Sequence, residues 1–244
     1  MWSPAPESLS LPRDEVHVWR ARLEQPPALQ ESFLRLLSED ERTRANRFHF
    51  ERDHRRFVLA RGFLRSLLAR YLQTAPETLS FSYGPYGKPA LSGLHAGSSL
   101  RFNASHSHEL ALFAFVHDCE IGIDVEYIQK DFATEDIARH FFSIAEVQTL
   151  LALRETEKPA AFFRCWTRKE AYIKALGSGL SLPLDEFDVT LAPGESAALL
   201  CDRREPDAVR RWMMFNFGLE GYAAALAVES VNVTSVQTFD CLTP

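Results

Sequence analysis

Nowhere in this chain is there a run of apolar residues long enough to cross a bilayer, so no transmembrane helix is expected. The start, Met1 to Glu7, has neither a basic n-region nor an apolar h-region, so no secretory signal is expected either. Cysteine is scarce. Cys119, Cys165, Cys201 and Cys241 are scattered without metal-site or redox spacing, which predicts reduced thiols in a cytoplasmic protein. No nucleic-acid-binding motif is recognisable, so nucleic acid and membrane are not expected partners. What is present is 46% hydrophobic content over 244 residues, enough to bury a core in one large domain or two small ones.

Charge is distributed unevenly. The net charge is −6, yet Arg42 to Arg70 carries nine arginines and no lysine against only Glu51 and Asp53. A charged helix can be a solvated face, and that accounts for some of these arginines. Such a local excess in an acidic protein also suggests an anionic partner, a phosphate-rich cofactor or an acidic protein surface, since Arg forks bind both.

Two acidic signatures carry the chemistry. In Ile121-Gly122-Ile123-Asp124-Val125-Glu126 the apolar residues alternate, so Asp124 and Glu126 leave one face of a strand. Gly122 shares that face and is expected to leave room beside the acids for a bulky ligand. In Trp166-Thr167-Arg168-Lys169-Glu170-Ala171-Tyr172-Ile173-Lys174, the residues Trp166, Glu170 and Lys174 fall at i, i+4 and i+8 along one helical face. Two strand carboxylates and one helix carboxylate form an oxygen set suited to a hard cation such as Mg²⁺. Taken singly, the bland readings are solvent-facing acids on a strand and a Glu170–Lys174 surface pair worth about 0.3–0.5 kcal/mol.

With Tyr86-Gly87-Lys88-Pro89, Phe102-Asn103-Ala104-Ser105-His106-Ser107 and Gly177 to Leu184, these segments stand in an order and spacing that resembles the two-domain 4′-phosphopantetheinyl transferases, the surfactin-synthetase-activating type. The resemblance runs from about Leu37 to Leu191. It implies an α+β fold built as a pseudo-twofold pair of similar halves with the site in the cleft between them. It implies transfer of 4′-phosphopantetheine from coenzyme A to a serine of an apo acyl or peptidyl carrier protein, with Mg²⁺ required and adenosine 3′,5′-bisphosphate released. The metal ligands would be Asp124, Glu126 and Glu170. Lys174 would contact the phosphates. Arg56, Lys88, Ser105 and His106, with Arg44 more loosely aligned, would hold the nucleotide and its 3′-phosphate. Trp166 is expected to pack, Asn103 to fix a turn, and Lys169 has no assigned role.

An internal repeat agrees with two halves, 1–118 and 119–244. Ser38-x-x-Glu41 and Ser143-x-x-Glu146 are both helix-start signatures. Each precedes a long helix, roughly Asp53 to Leu72 and Phe162 to Leu176. Strands at Leu79–Tyr83 and Leu110–Val116 are echoed at Phe187–Leu191 and Tyr222–Val228, and Asn103 is matched with Asn216. The tail after Val231 shows no pattern and is expected to be peripheral. A fused pair of halves implies a monomer. Glu146 has two readings: the cap partner of Ser143, as Glu41 is of Ser38, or the base that the family resemblance places beside the cleft. Two other functions compete with transfer. A Mg²⁺-dependent nucleotide-pyrophosphate hydrolase would need several glutamates on one helix, and Trp166 to Lys174 offers one. A non-catalytic coenzyme A or carrier-binding module would not need all three carboxylates.

Overall fold

The computed structural model describes residues 2–129, 134–229 and 233–241. In chain order the elements are β1 (Ser3–Pro4), β2 (Glu15–Arg22), α1 (Pro27–Leu36), α2 (Glu39–Ala45), α3 (Glu51–Leu72), β3 (Ser80–Tyr83), β4 (Pro89–Ser92), β5 (Leu100–Ser107), β6 (Leu110–His117) and β7 (Ile121–Tyr127). They continue with α4 (Thr134–Phe141), α5 (Ile144–Leu151), α6 (Lys158–Leu176), β8 (Phe187–Val189), β9 (Leu199–Asp202), α7 (Ala208–Arg211), β10 (Trp212–Asn216), β11 (Tyr222–Glu229) and β12 (Ser235–Asp240). No described helix is long and apolar enough to cross a membrane.

The helix ends follow local chemistry. Glu41 accepts the Ser38 N–H at 3.0 Å at the start of α2, and Glu146 accepts the Ser143 N–H at 2.9 Å at the start of α5. A proline sits in the first turn of α6, and Gly177 closes the helix in the left-handed region (φ +66°), where an L side chain would be strained.

Two sheets stack with helices outside. One has the order β1-β12-β2-β6-β5 and the other β10-β11-β7. Val16, Val18, Leu112 and Ala114 of the first sheet pack on Ile121, Ile123, Val125 and Leu226 of the second. The outer face of the first sheet, with Trp19, Phe113 and Phe115, packs on Phe63 and Leu67 of α3 and on Phe33 of α1. The outer face of the second, with Ala223, Ala225 and Met214, packs on Phe162, Tyr172 and Ile173 of α6.

The repeat is a real symmetry of the fold. The run β2-α2-α3-β3-β4-β5-β6 is repeated as β7-α5-α6-β8-β9-β10-β11, and β2-β6-β5 matches β7-β11-β10, every neighbour antiparallel. One predicted equivalence fails. Asn103 faces the space between the sheets, where its Oδ1 accepts the Ile123 N–H, whereas Asn216 shares a face with Met214, toward α6. With a side-chain period of two, matching Asn103 to Asn216 was one residue out of register.

The tail is not peripheral. β12 lies between β1 and β2, parallel to both, with Phe239 on the rings of His17 and Trp19. The last strand of the 119–244 segment thus completes the sheet of the first half. Both faces of β2 are buried, with Val16 and Val18 between the sheets and Trp19 and Ala21 against the helices of the first half.

Candidate active site

Strand β7 and helix α6 make the site, and Gly122 sets their distance. A Cβ at Gly122 would collide with the Ala171 carbonyl oxygen and the Ala175 nitrogen. The glycine therefore admits the helix backbone, not a ligand, which corrects the expectation of open room beside the acids. The close approach brings Glu170 and Lys174 of α6 toward Asp124 and Glu126 of β7; Asp124 is buried, and the other three are partly accessible.

The Lys174 ammonium lies 2.6 Å from Asp124 Oδ1 and 3.1 Å from Ser105 Oγ, and the Ser105 hydroxyl donates to the same Asp124 oxygen at 2.8 Å. Asp124 Oδ2 is buried without a hydrogen-bond partner. Ser107 donates to Glu126 Oε2 at 2.9 Å. Burial, then the Asp124 charge, hold the Glu126 carboxyl above its ordinary value, with Ser107 opposing. Glu170 is pushed up to about 7 by burial and by Asp124, against the pull of Lys174. Burial works against the Lys174 charge, but Asp124, by charge and hydrogen bond, and then Glu170 and Glu126 keep it above the ordinary lysine value.

An orphaned buried carboxylate oxygen and two neighbouring carboxyls whose affinity for a proton is raised describe a cluster short of positive charge. That donor set fits a hard cation in charge and chemistry. As the side chains stand, with Lys174 against Asp124, no three His, Cys, Asp or Glu among the described residues are grouped closely enough to share one ion.

The other predicted residues divide between three places. Ser105 belongs with the carboxylates. His106, next in the strand and therefore on its other side, neighbours Arg56 of α3; burial and then the cations of Lys174 and Arg56 lower its imidazole below the ordinary value. Arg56 is itself ion-paired with Glu109, at the turn after β5, and reaches Asp53 at 3.8 Å. Lys88 is not among these partners. Its ammonium bonds Glu120 and the Ala175 carbonyl, both at 2.7 Å, beside a cavity of about 440 Å³ lined by Tyr83, Arg101 and Gly177. Arg44 stacks over Phe57 and lines an open depression with Arg47 and Phe48.

Much of the arginine surplus is structural. Arg65 and Arg61 pair with Glu41, Arg70 covers Trp19, and Arg42 bonds the Leu37 carbonyl. These partners are an internal anion, an aromatic ring and a carbonyl, so the run is not a single anion-binding face.

Glu146 is buried away from any free proton acceptor role. Its Oε2 accepts the Ser143 N–H and meets the Lys169 ammonium at 2.8 Å, while its Oε1 accepts the Val189 N–H at 2.8 Å. Lys169 is fully buried and also donates to the Leu184 and Phe187 carbonyls. The first half repeats the device: Glu41 caps α2, meets Arg65 at 2.6 Å, and Arg65 donates to the Pro76 and Leu79 carbonyls. The same device stands in the half without the Asp124 cluster, and both Glu146 oxygens are occupied, so of the two readings of Glu146 the geometry matches the helix cap. Trp166 packs on Phe141 and Phe162, as expected. Sequence reasoning gave no role to Ser107 and Glu109. The signal for Ser107 was its alternation with Asn103 and Ser105; for Glu109 there was none.

Comparison with known proteins fits this arrangement. A 4′-phosphopantetheinyl transferase superfamily profile matches residues 120–227, and a 4′-phosphopantetheinyl transferase N-terminal profile matches residues 19–117. The 4′-phosphopantetheinyl transferase HetI of Nostoc sp. is 44% identical over 198 residues, covering 81% of this chain and 83% of its own. The transferase Sfp of Bacillus subtilis is 34% identical over 183 residues, covering 75% of this chain and 79% of its own. An ACPS–CoA complex from Chronobacterium ammoniagenes aligns at a TM-score of 0.36 and 18% identity over 45% of this chain and 95% of that one, a likeness too partial to argue from. The chain belongs to the 4′-phosphopantetheinyl transferase superfamily.

Proposed function

We propose that this chain transfers the 4′-phosphopantetheine of coenzyme A to a serine hydroxyl of an apo acyl or peptidyl carrier protein, releasing adenosine 3′,5′-bisphosphate, with Mg²⁺ held by Asp124, Glu126 and Glu170. The observation that carries this reading is the cation-poor cluster around the unpartnered Asp124 Oδ2, with Lys174 against it, in a chain of this family. Bound there, Mg²⁺ supplies charge that offsets the pyrophosphate's repulsion of an incoming nucleophile.

The residues do the rest. Lys174, kept charged by its acidic neighbours, stabilises the leaving phosphate. Arg56 and His106 hold the nucleotide, which lowers the entropic cost of in-line attack. The serine proton goes to a Glu170 oxygen not engaged by the cation, in place of Glu146, whose two oxygens are both occupied. Arg44 and Lys88 lie outside this set. The pseudo-twofold pairing of the halves supports a monomer, which light scattering tests.

The test is to incubate an apo carrier with coenzyme A, with and without Mg²⁺, and weigh the carrier. Transfer predicts a carrier heavier by one phosphopantetheine, only with Mg²⁺. A pyrophosphate hydrolase would cleave coenzyme A without a carrier, and a binding module would leave both unchanged.

A further inference from the structure

We propose that Ser107 is a positioning residue which reaches from the N-terminal half to fix the Glu126 carboxylate of the C-terminal half. The inference rests on the reading of Glu126 as a metal ligand. Strands β5 and β7 are edges of different sheets and share no backbone ladder. Their junction is made by side chains instead. From Asn103 on, every second residue of β5 reaches β7: Asn103 Oδ1 accepts the Ile123 N–H at 3.0 Å, Ser105 Oγ donates to Asp124 at 2.8 Å, and Ser107 Oγ donates to Glu126 at 2.9 Å. The three rungs follow from strand alternation, residues 103, 105 and 107 lying on one face.

The direction of the last rung is fixed. Ser107 Oγ also accepts the Tyr127 N–H at 3.1 Å, so its single proton is left for Glu126. The Glu126 side chain is therefore held by a hydroxyl that the Tyr127 N–H itself fixes in place, on a residue of the opposite half of the molecule. Ser105 does the same for Asp124 while accepting from Lys174. The docked N-terminal half thus helps to orient the cluster, beside the Lys174–Asp124 pair of the C-terminal half. Outer partners of this kind set the orientation and basicity of a ligating carboxylate.

The experiment is a titration of Mn²⁺ into the enzyme with coenzyme A bound and no carrier present, free Mn²⁺ being read by electron paramagnetic resonance. Wild type is compared with Ser107→Ala, Ser107→Thr and Glu126→Gln, each checked by thermal melting. Ser107→Ala is expected to weaken Mn²⁺ binding by about 10-fold or more. Ser107→Thr keeps the hydroxyl and suits a strand, and should bind nearly as wild type. Wild-type affinity in Ser107→Ala, with Glu126→Gln weakened, overturns the proposal alone. A Thr variant as weak as the Ala variant also overturns it, because the hydroxyl would then not be the agent. Undiminished affinity in Glu126→Gln overturns the ligand reading of Glu126 and the Ser107 role with it.

Discussion

The Glu146 carboxylate lies 2.8 Å from the Lys169 ammonium, and both are buried inside the C-terminal half. Breaking such a pair leaves an uncompensated buried charge, at a cost of about 3–5 kcal/mol. Glu146→Gln should therefore melt well below wild type, while its folded fraction, assayed in the cold, transfers at close to the normal rate. Pairing it with Lys169→Met should restore much of the stability. A Glu146→Gln protein with wild-type melting and a rate lower by on the order of 10²-fold or more would return the role of base to this residue.

Glu170 offers the opposite trade. Its folded value of about 7 stands above the ordinary 4.5, so between those values the folded state holds more proton than the unfolded chain. Metal-free stability then falls as pH rises through that window. Glu170→Gln should remove this fall and, at pH 8 without Mg²⁺, gain on the order of 1–3 kcal/mol, while Mg²⁺-dependent transfer is lost. Melting curves at pH 5 and 8 decide it; a variant that is less stable at pH 8 would show that Glu170 is not crowded by its neighbours.

Gly122→Ala should disable the site without touching a charged group. The added methyl meets helix backbone at Ala171 and Ala175, which cannot rotate aside. The helix must move away from β7, and about 1–3 kcal/mol of stability goes with it. Turnover should fall more than coenzyme A binding, because Glu170 and Lys174 move relative to Asp124. Normal turnover in a normally folded variant would mean that the helix-to-strand distance is not critical.

Arg56→Ala and His106→Ala are expected to lose the preference for coenzyme A over 3′-dephospho-coenzyme A. The two side chains are neighbours whose charges are felt in the lowered His106 value. Glu109→Gln, which removes the carboxylate paired with Arg56, should sharpen that preference, since the guanidinium then has no internal competitor. Parallel KM values for both ligands in all three variants would remove Arg56 and His106 from the phosphate site.

Truncation after Glu229 should leave an insoluble protein. β12 covers the edge of β2, and Phe239 packs on Trp19 and His17. Its loss exposes a long apolar edge strand. A soluble, monomeric truncated chain would show that the tail is dispensable.

The sequence alone determined the family and the local structure, including which side chains share a face. The strand alternation of Ile121 to Glu126 and the helical spacing of Trp166, Glu170 and Lys174 are written in residue order, because each concerns neighbours on one element. The Ser-x-x-Glu starts were legible for the same reason. Only the tertiary structure decided what lay across elements. It decided that Gly122 admits a helix, that Glu146 is closed off by Lys169, that Lys88 turns to Glu120, and that β12 crosses back into the first sheet. Each of these depends on a partner between 23 and more than 200 positions away. Strand and helix periods fix which face a residue takes, but not which surface comes to meet it.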